Sequence, residues 1–92
     1  MKVNIFGKQN CGNCKSTKKM LAFFIPKWGL GEKIQVEFHD METTDGFAEG
    51  AFHDVADKLP TVIVANGDKT LARWDGKIPN TEELKVVLTA NA

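Results

Sequence analysis

The chain has 92 residues, of which 42% are hydrophobic and 26% are charged. This size and composition predict one globular domain over residues 1–92 and exclude a disordered or collagen-like chain. Twelve basic and twelve acidic side chains give a formal net charge of zero. The excess of positive charge that marks many nucleic-acid-binding domains is therefore missing, and we expect no nucleic-acid partner. Two cysteines are too few for a disulfide-rich secreted scaffold.

The apolar runs of the sequence are short. The longest, residues 20–25, is far below the roughly 20 residues that a membrane-spanning helix needs. The N-terminal segment also lacks the apolar run of a signal peptide. We therefore expect a cytoplasmic protein without a membrane partner. In that compartment, two close cysteines are more often catalytic or metal-binding than structural.

The first part of the chain predicts a strand followed by a helix. Residues 3–6 form a short apolar run typical of a buried strand. A helix is predicted from residue 12 to about residue 24, because one stripe recurs with helical spacing: Thr17, Met20, Leu21 and Phe24. Pro26 is expected to end this helix, since its ring cannot continue the hydrogen-bond ladder.

A second strand and a second helix are predicted next. Residues 34–38 alternate between apolar and polar, which is typical of a strand with one buried face. After a polar segment, Asp45 is a candidate N-cap. The helix it would begin carries Phe47, Ala51, Phe52 and Val55 as its apolar residues.

The last part of the chain predicts a hairpin and a third helix. Residues 61–65 are rich in β-branched side chains, and Asn66-Gly67 is a strong signal for a tight turn into a strand over residues 69–74. Asn80 and Glu83 have the spacing of a capping box at a helix start. The buried stripe of this helix is predicted to be Leu84, Val87 and Leu88.

The predicted order of elements is therefore β-α-β-α-β-β-α. A strand–helix–strand crossover makes the first two strands parallel, and the hairpin adds an antiparallel edge. We predict an α/β fold with a four-stranded mixed sheet and helices on both of its faces.

Cys11 and Cys14 lie between the first strand and the first helix. The unpaired amides and the dipole at a helix start favour an anion, and C-x-x-C thiolates have pKa values lowered to about 7 or below. Cys11 would then be a nucleophile, and Cys14, one helical turn later, could close a disulfide with it. Half of a zinc site is the main alternative, but the two histidines, His39 and His53, are distant and lack metal-ligand spacing. Two unreactive buried cysteines remain a weaker alternative.

The segment Ile5-Phe6-Gly7-Lys8-x-x-Cys11-x-x-Cys14 resembles the first strand and active-site turn of bacterial glutaredoxins. The Cys-Gly-Asn-Cys form is closer to thioredoxins. Lys58-Leu59-Pro60-Thr61 resembles the segment of these families in which a cis proline faces the cysteines, and Gly76 resembles a glycine beside the same groove. Together these matches identify the chain with the thioredoxin/glutaredoxin superfamily and imply a compact thioredoxin-like fold.

The sequence also departs from both families. Asn10 stands where thioredoxins have tryptophan, and Ile5 stands where they have a buried acid. The segment after Gly76 lacks the second glycine and the acid with which glutaredoxins bind glutathione. A dependence on glutathione is therefore not implied.

The resemblance implies a role for each group of residues. Cys11 and Cys14 are the expected catalytic pair. The thiolate-stabilising residues are expected to be Lys8, Gly12, Asn13 and Lys15, and the substrate groove is expected to be formed by Leu59, Pro60, Thr61 and Gly76. No metal and no cofactor other than the Cys11–Cys14 disulfide are expected.

These assignments imply a dithiol reductant of protein disulfides, recharged by a thiol or a flavin reductase and expected to be a monomer. The segment over residues 41–49 resembles small thioredoxin-like proteins that accompany anaerobic ribonucleotide reductases, which suggests such a reductase as electron acceptor. The alternative is a non-catalytic metal carrier or adaptor that uses the cysteine pair.

Overall fold

The structure is a computed structural model and describes residues 1–92. Four strands and three helices follow one another in the predicted order. They are β1 (Lys2–Gly7), α1 (Gly12–Lys27), β2 (Gln35–Asp40), α2 (Thr44–Phe52), β3 (Thr61–Asn66), β4 (Lys69–Asp75) and α3 (Thr81–Asn91). The predicted α/β element order is confirmed.

The strands form one mixed sheet in the order β2-β1-β3-β4. β1 is parallel to β2 and antiparallel to β3, and β4 is the antiparallel partner of β3. Gly7 lies beside Asp40, Phe6 opposite Thr61, and Thr61 opposite Asp75. This register brings the residues that follow β1 and β4 to the same end of the sheet as the residues that precede β3.

Both faces of the sheet are packed, as predicted. On one face, α1 and α3 enclose the main core, whose buried residues are Val3, Ile5, Leu21, Ile25, Leu30, Ile34, Val62, Val64, Trp74, Leu84 and Leu88. On the other face, a smaller core contains Phe6, Val55 and Ile63, with Met41 and Leu59 packed against it. None of the helices is both long and apolar enough to cross a membrane.

The prediction that Pro26 ends α1 is wrong, because the helix continues through Pro26 to Lys27. Proline has no amide donor of its own, but the amide of Trp28, two residues later, again donates to the carbonyl oxygen of Phe24 at 2.8 Å. Ile25 is buried in the main core, which holds the last turn in place. The helix ends at Lys27, with Trp28 as its C-cap, and the next residue, Gly29, has a φ of 73° that suits glycine.

The N-cap of α2 is Thr43 and not Asp45. The Thr43 hydroxyl accepts a hydrogen bond from the amide of Gly46 at 3.0 Å, which satisfies one of the free donors of the first turn. Asp45 lies within that turn, where its negative charge suits the helix dipole.

Of the apolar residues predicted for α2, only Val55 is buried, and it lies beyond the end of the helix at Phe52. The side chains of Phe47 and Phe52 are 63% and 81% exposed, and the buried residues of the helix are Gly46 and Gly50. A Cβ atom at Gly46 would overlap the carbonyl group of Asp40. The helix thus approaches the end of β2 through glycine, and its phenylalanines are left on the outside.

The hairpin turns one residue later than Asn66-Gly67 suggests. Asn66 is still paired with Lys69, so the two loop residues are Gly67 and Asp68. Gly67 has a φ of 62°, and a positive φ at the first loop residue is typical of a type II′ turn. The N-cap of α3 is Asn80, as predicted.

Candidate active site

A disulfide bond joins Cys11 and Cys14, whose Cα atoms are 5.2 Å apart. Cys11 is the N-cap of α1 and has extended backbone angles, so the helix begins at Gly12. The Sγ atom of Cys11 accepts a hydrogen bond from the backbone amide of Cys14 at 3.1 Å. This sulfur therefore occupies the position in which a helix start stabilises an acceptor or a negative charge.

The two cysteines differ in their access to solvent. Cys11 is partly exposed, whereas Cys14 is 1% exposed and forms part of the protein interior. Cys14 lies directly on β1, because a Cβ atom at Gly7 would be 2.8 Å from the Sγ of Cys14. The same atom would be 3.1 Å from Cε2 of Phe38. An external thiol or disulfide can therefore approach Cys11 but not Cys14.

The two residues between the cysteines, Gly12 and Asn13, are exposed. Gly12 has open space where a side chain would begin, and the carbonyl oxygen of Asn13 accepts a hydrogen bond from Thr17 Oγ1 at 2.8 Å. Thr17 is itself fully buried below the first turn. Gly12 and Asn13 therefore belong to the first turn of α1, and the hydrogen bond from Thr17 stabilises this turn.

Three lysines are neighbours of the cysteine pair along the chain: Lys8 in the loop before it, and Lys15 and Lys18 on α1. All three are exposed, and none forms an ion pair with an acidic side chain. The ammonium group of Lys18 lies 4.2 Å from the ring centroid of Phe38. The charges near the cysteine pair are therefore positive and not neutralised by a contacting carboxylate.

The predicted groove residues lie at the same end of the sheet. The Leu59–Pro60 peptide bond is cis, and the amide of Gly76 donates to the carbonyl oxygen of Pro60 at 2.8 Å. Thr61 begins β3 and its hydroxyl donates to the carbonyl oxygen of Lys58 at 3.0 Å. Pro60 and Thr61 are buried, so Leu59 and Gly76 provide the exposed part of this segment.

Gly7 and Phe38 were not among the residues predicted for the site. Their contribution depends on the pairing of β1 with β2, which places Phe38 beside Ile5 and close to the end of β1. For Gly7 a sequence signal exists, since it is a glycine at the end of an apolar run, just before the cysteine loop. For Phe38 there is none, because a phenylalanine in a strand ordinarily belongs to the core.

The histidines lie on the other face of the sheet. The ring of His39 stacks on Phe6 with centroids 4.7 Å apart, and its Nε2 is 3.0 Å from Oδ1 of Asn4. The ring of His53 also contacts Phe6, on the face that carries α2. No group of three or more His, Cys, Asp or Glu side chains is arranged to hold a metal ion.

No protein-family model and no curated protein sequence matches this chain. Solved structures of thioredoxins do match it, at 16–21% sequence identity among six of them. Thioredoxin-2 of a malaria parasite, described as a component of the parasite's protein secretion machinery, is 19% identical, with a TM-score of 0.79 over 97% of this chain and 81% of that one. Thioredoxin from Fasciola hepatica is 19% identical, with a TM-score of 0.75 over 99% of this chain and 80% of that one.

Thioredoxin 1 from the bacterium Thermosipho africanus is 21% identical, with a TM-score of 0.69 over 99% of this chain and 91% of that one. These matches extend over almost the whole chain, and the sheet order and helix placement agree with the fold that the sequence resemblance implied. The chain therefore has the thioredoxin fold, with its C-x-x-C pair at the N-terminus of α1.

Proposed function

We propose that the protein is a thiol–disulfide oxidoreductase that reduces disulfide bonds in other proteins. The observation that carries this proposal is the difference between the two sulfurs of one disulfide. Cys11 is partly exposed at the N-terminus of a helix, and Cys14 is buried one turn later. Disulfide exchange requires an accessible sulfur whose thiolate is stabilised, which Cys11 provides. It also requires a second sulfur within bonding distance of the first, which Cys14 provides.

The reaction has two exchange steps. The Cys11 thiolate attacks one sulfur of the substrate disulfide, so that a Cys11–substrate bond forms and the other substrate sulfur leaves as a thiolate. Cys14, as a thiolate, then attacks Sγ of Cys11, which forms the Cys11–Cys14 bond and releases the second substrate sulfur. Two electrons pass from the cysteine pair to the substrate, and the thiolates released take up protons from water.

The surroundings of Cys11 support its role as the attacking sulfur. In the reduced protein, the amides of the first turn of α1 and the nearby ammonium groups of Lys8 and Lys15 would stabilise its thiolate. Gly12 and Asn13 add no side-chain charge and leave the approach to the sulfur open.

The segment before β3 is the proposed docking surface for the substrate. Leu59 and Gly76 are exposed or half-exposed at the end of the sheet that carries the cysteines, with Pro60 and Thr61 fixed beneath them. An extended substrate chain could place its disulfide beside Cys11 and contact this backbone.

The proposal includes the kind of partners. The substrate is a protein with an accessible disulfide, and a ribonucleotide reductase is the candidate that the sequence suggests. A thiol or a flavin reductase would return the Cys11–Cys14 disulfide to the dithiol state, and no other cofactor is needed. We propose that the protein acts in the cytoplasm and as a monomer.

Reduction of insulin disulfides by the wild-type protein, measured in the presence of dithiothreitol, tests this function. We expect Cys11→Ser to abolish the stimulated rate, because the attacking sulfur is lost. Cys14→Ser should instead accumulate a mixed disulfide between Cys11 and the substrate, detectable by mass spectrometry. Insulin reduction that survives Cys11→Ser, or a mixed disulfide formed through Cys14, would contradict the assigned roles.

The competing function is tested on the same preparation. A metal carrier would retain stoichiometric zinc or copper through purification, and its thiols would not interconvert with a disulfide. We expect two titratable thiols in the reduced protein and none after oxidation.

A further inference from the structure

The surroundings of Cys14 are almost entirely apolar. Its sulfur lies over Gly7 together with the ring of Phe38, and Ile5, fully buried, is the strand partner of Phe38. The hydroxyl of Thr17, on the same helix face, already donates to the carbonyl oxygen of Asn13. A thiol in such surroundings resists ionisation, since burial disfavours the charged form. The resolving step nevertheless requires a Cys14 thiolate.

The ammonium group of Lys18 is a positive charge next to this apolar region. It follows Cys14 by four residues, so the two side chains are neighbours on one face of α1. Its ammonium group lies 4.2 Å from the ring centroid of Phe38. Lys18 also lines a crevice of about 240 Å³, whose other lining residues are Ile5, Ala22, Val36 and Phe38.

Other charged groups near Cys14 are less well placed. On the loop and strand ends, Lys8 is exposed beyond Gly7, and the carboxylate of Asp40 accepts hydrogen bonds from Gln9 and from the amide of Glu42. Lys15 follows Cys14 directly and therefore points to a different side of α1. The remaining groups lie elsewhere: Lys58 packs against Gly76, Glu37 pairs with Lys2, and His39 contacts Asn4.

We propose that Lys18 is a positioning residue for Cys14, with its ammonium group held over the ring of Phe38 so that it stabilises the thiolate that resolves the mixed disulfide. This inference rests on the proposed function. In the step concerned, Cys14 loses its proton to water, its thiolate bonds to Sγ of Cys11, and the bond between Cys11 and the substrate breaks. The substrate sulfur leaves with the electron pair of that bond. Lys18 keeps its own proton throughout.

The first test measures the ionisation of Cys14 alone. In the Cys11→Ser protein, the ultraviolet absorbance of the thiolate is followed as a function of pH, with and without Lys18→Met. Methionine keeps most of the apolar stem and removes the charge. We expect the titration of Cys14 to move to higher pH in Lys18→Met, and Lys18→Arg to restore it.

Lys19→Met is the matched control, because it removes the same charge one residue further on, where the side chain points away from Cys14. We expect it to leave the titration nearly unchanged. Equal effects of Lys18→Met and Lys19→Met would overturn the inference, since they would reduce it to the general charge of the helix.

The second test measures the resolving step. In the protein with both cysteines, Cys11 is linked to glutathione as a mixed disulfide, and the release of glutathione is followed over pH. We expect Lys18→Met to slow release near neutral pH by roughly two- to fivefold, the size expected of a single partly exposed charge, and the difference to vanish at alkaline pH. A slowing that is the same at every pH would contradict the proposal and indicate a structural effect.

The two proposals can fail separately. If the wild-type protein does not reduce insulin, the proposed function is wrong, but the titration of Cys14 still reports whether Lys18 acts on it. If insulin is reduced and the titration does not respond to Lys18→Met, only the role of Lys18 is wrong.

Discussion

The Cα atom of Gly7 faces the sulfur of Cys14 and the ring of Phe38, and a methyl group there would lie 2.8 Å and 3.1 Å from the nearest atoms of the two. Cys14 is buried, and Phe38 is partly buried and packs against the main core, so neither side chain can easily move aside. Only glycine lets the Cys14 side chain approach the backbone of residue 7 this closely. The absence of a side chain at Gly7 thus allows the start of α1 to lie close to β1.

We expect Gly7→Ala to lower the free energy of unfolding by about 1–3 kcal/mol, the range for overpacking a well-packed site. Urea denaturation of the oxidised protein measures this change. Gly12→Ala is the matched control, because open space surrounds that position and alanine favours helix over glycine. A loss of stability as large in Gly12→Ala as in Gly7→Ala would show that backbone flexibility, and not the contact with Cys14, explains the effect.

For individual residues, the sequence predicts those parts of the candidate site that lie close together along the chain. Cys11 and Cys14 are three residues apart, and their position at a helix start follows from the strand and helix patterns around them. Phe38 and Lys18 come together only through the packing of α1 on the sheet and the register of β1 and β2. The register between β1 and β2, which are separated by residues 8–34, is not encoded in any local pattern, so this contact could not be predicted.

Among the elements, α3 shows most directly how a single side chain fixes a helix start. Oδ1 of Asn80 accepts hydrogen bonds from the amides of Glu82 at 3.0 Å and Glu83 at 3.2 Å. The helix then carries Leu84 and Leu88 into the main core. Loss of the cap would leave two amides of the first turn without their partner.

We expect Asn80→Ala to lower the free energy of unfolding by about 1 kcal/mol, the usual effect of removing an N-cap side chain. Denaturation with urea gives the value. Asn80→Asp should retain most of the stability, because a carboxylate accepts the same bonds and suits the helix dipole. An unchanged stability in Asn80→Ala would mean that water replaces the cap at no cost.

The helix α2 shows where prediction from the sequence fails. The apolar residues that the sequence offers for this helix include Phe47 and Phe52, but the buried side of α2 consists of Gly46 and Gly50. Glycine has no side chain, so a search for apolar side chains does not find it. Gly46 is buried because the helix backbone at this residue lies close to the carbonyl group of Asp40. The correct face becomes visible only once the end of β2 is in place.

The hairpin turn and the end of α1 differ from prediction for a similar reason. Asn66-Gly67 is a turn signal of the correct kind, but the pairing of Asn66 with Lys69 moves the loop by one residue. At the end of α1, the burial of Ile25 outweighs the tendency of Pro26 to stop the helix. In both cases tertiary packing decides the boundary, while the existence and type of the element follow from the sequence.

For the whole molecule, one ion pair makes stability depend on pH. The ammonium group of Lys2, on β1, lies 2.5 Å from a carboxylate oxygen of Glu37, on β2. The hydrogen bond from Lys2 holds the pKa of Glu37 below its ordinary value. The pair therefore stabilises the folded protein above the ordinary pKa of a glutamate, and this contribution is lost as the pH falls through the lowered pKa.

We expect Lys2→Gln to lower the free energy of unfolding near neutral pH by less than about 1 kcal/mol, because both side chains are more than 40% exposed to solvent. The difference from the wild type should disappear in acid, once Glu37 is protonated. Denaturation curves at several pH values, with Lys85→Gln as a control for an exposed lysine without an ion pair, measure it. A difference that persists unchanged in acid would show that the charge pair is not its cause.

The sheet order β2-β1-β3-β4 has one more consequence for the molecule. The cysteine loop extends from β1 and the Leu59–Pro60 segment leads into β3, and these are the two strands with neighbours on both sides. Amides in such strands exchange with deuterium only through large-scale opening, whereas outer strands and termini fray first. Transient fraying at the outer strands β2 and β4 thus leaves the spacing between the reactive sulfur and the Leu59–Pro60 backbone intact.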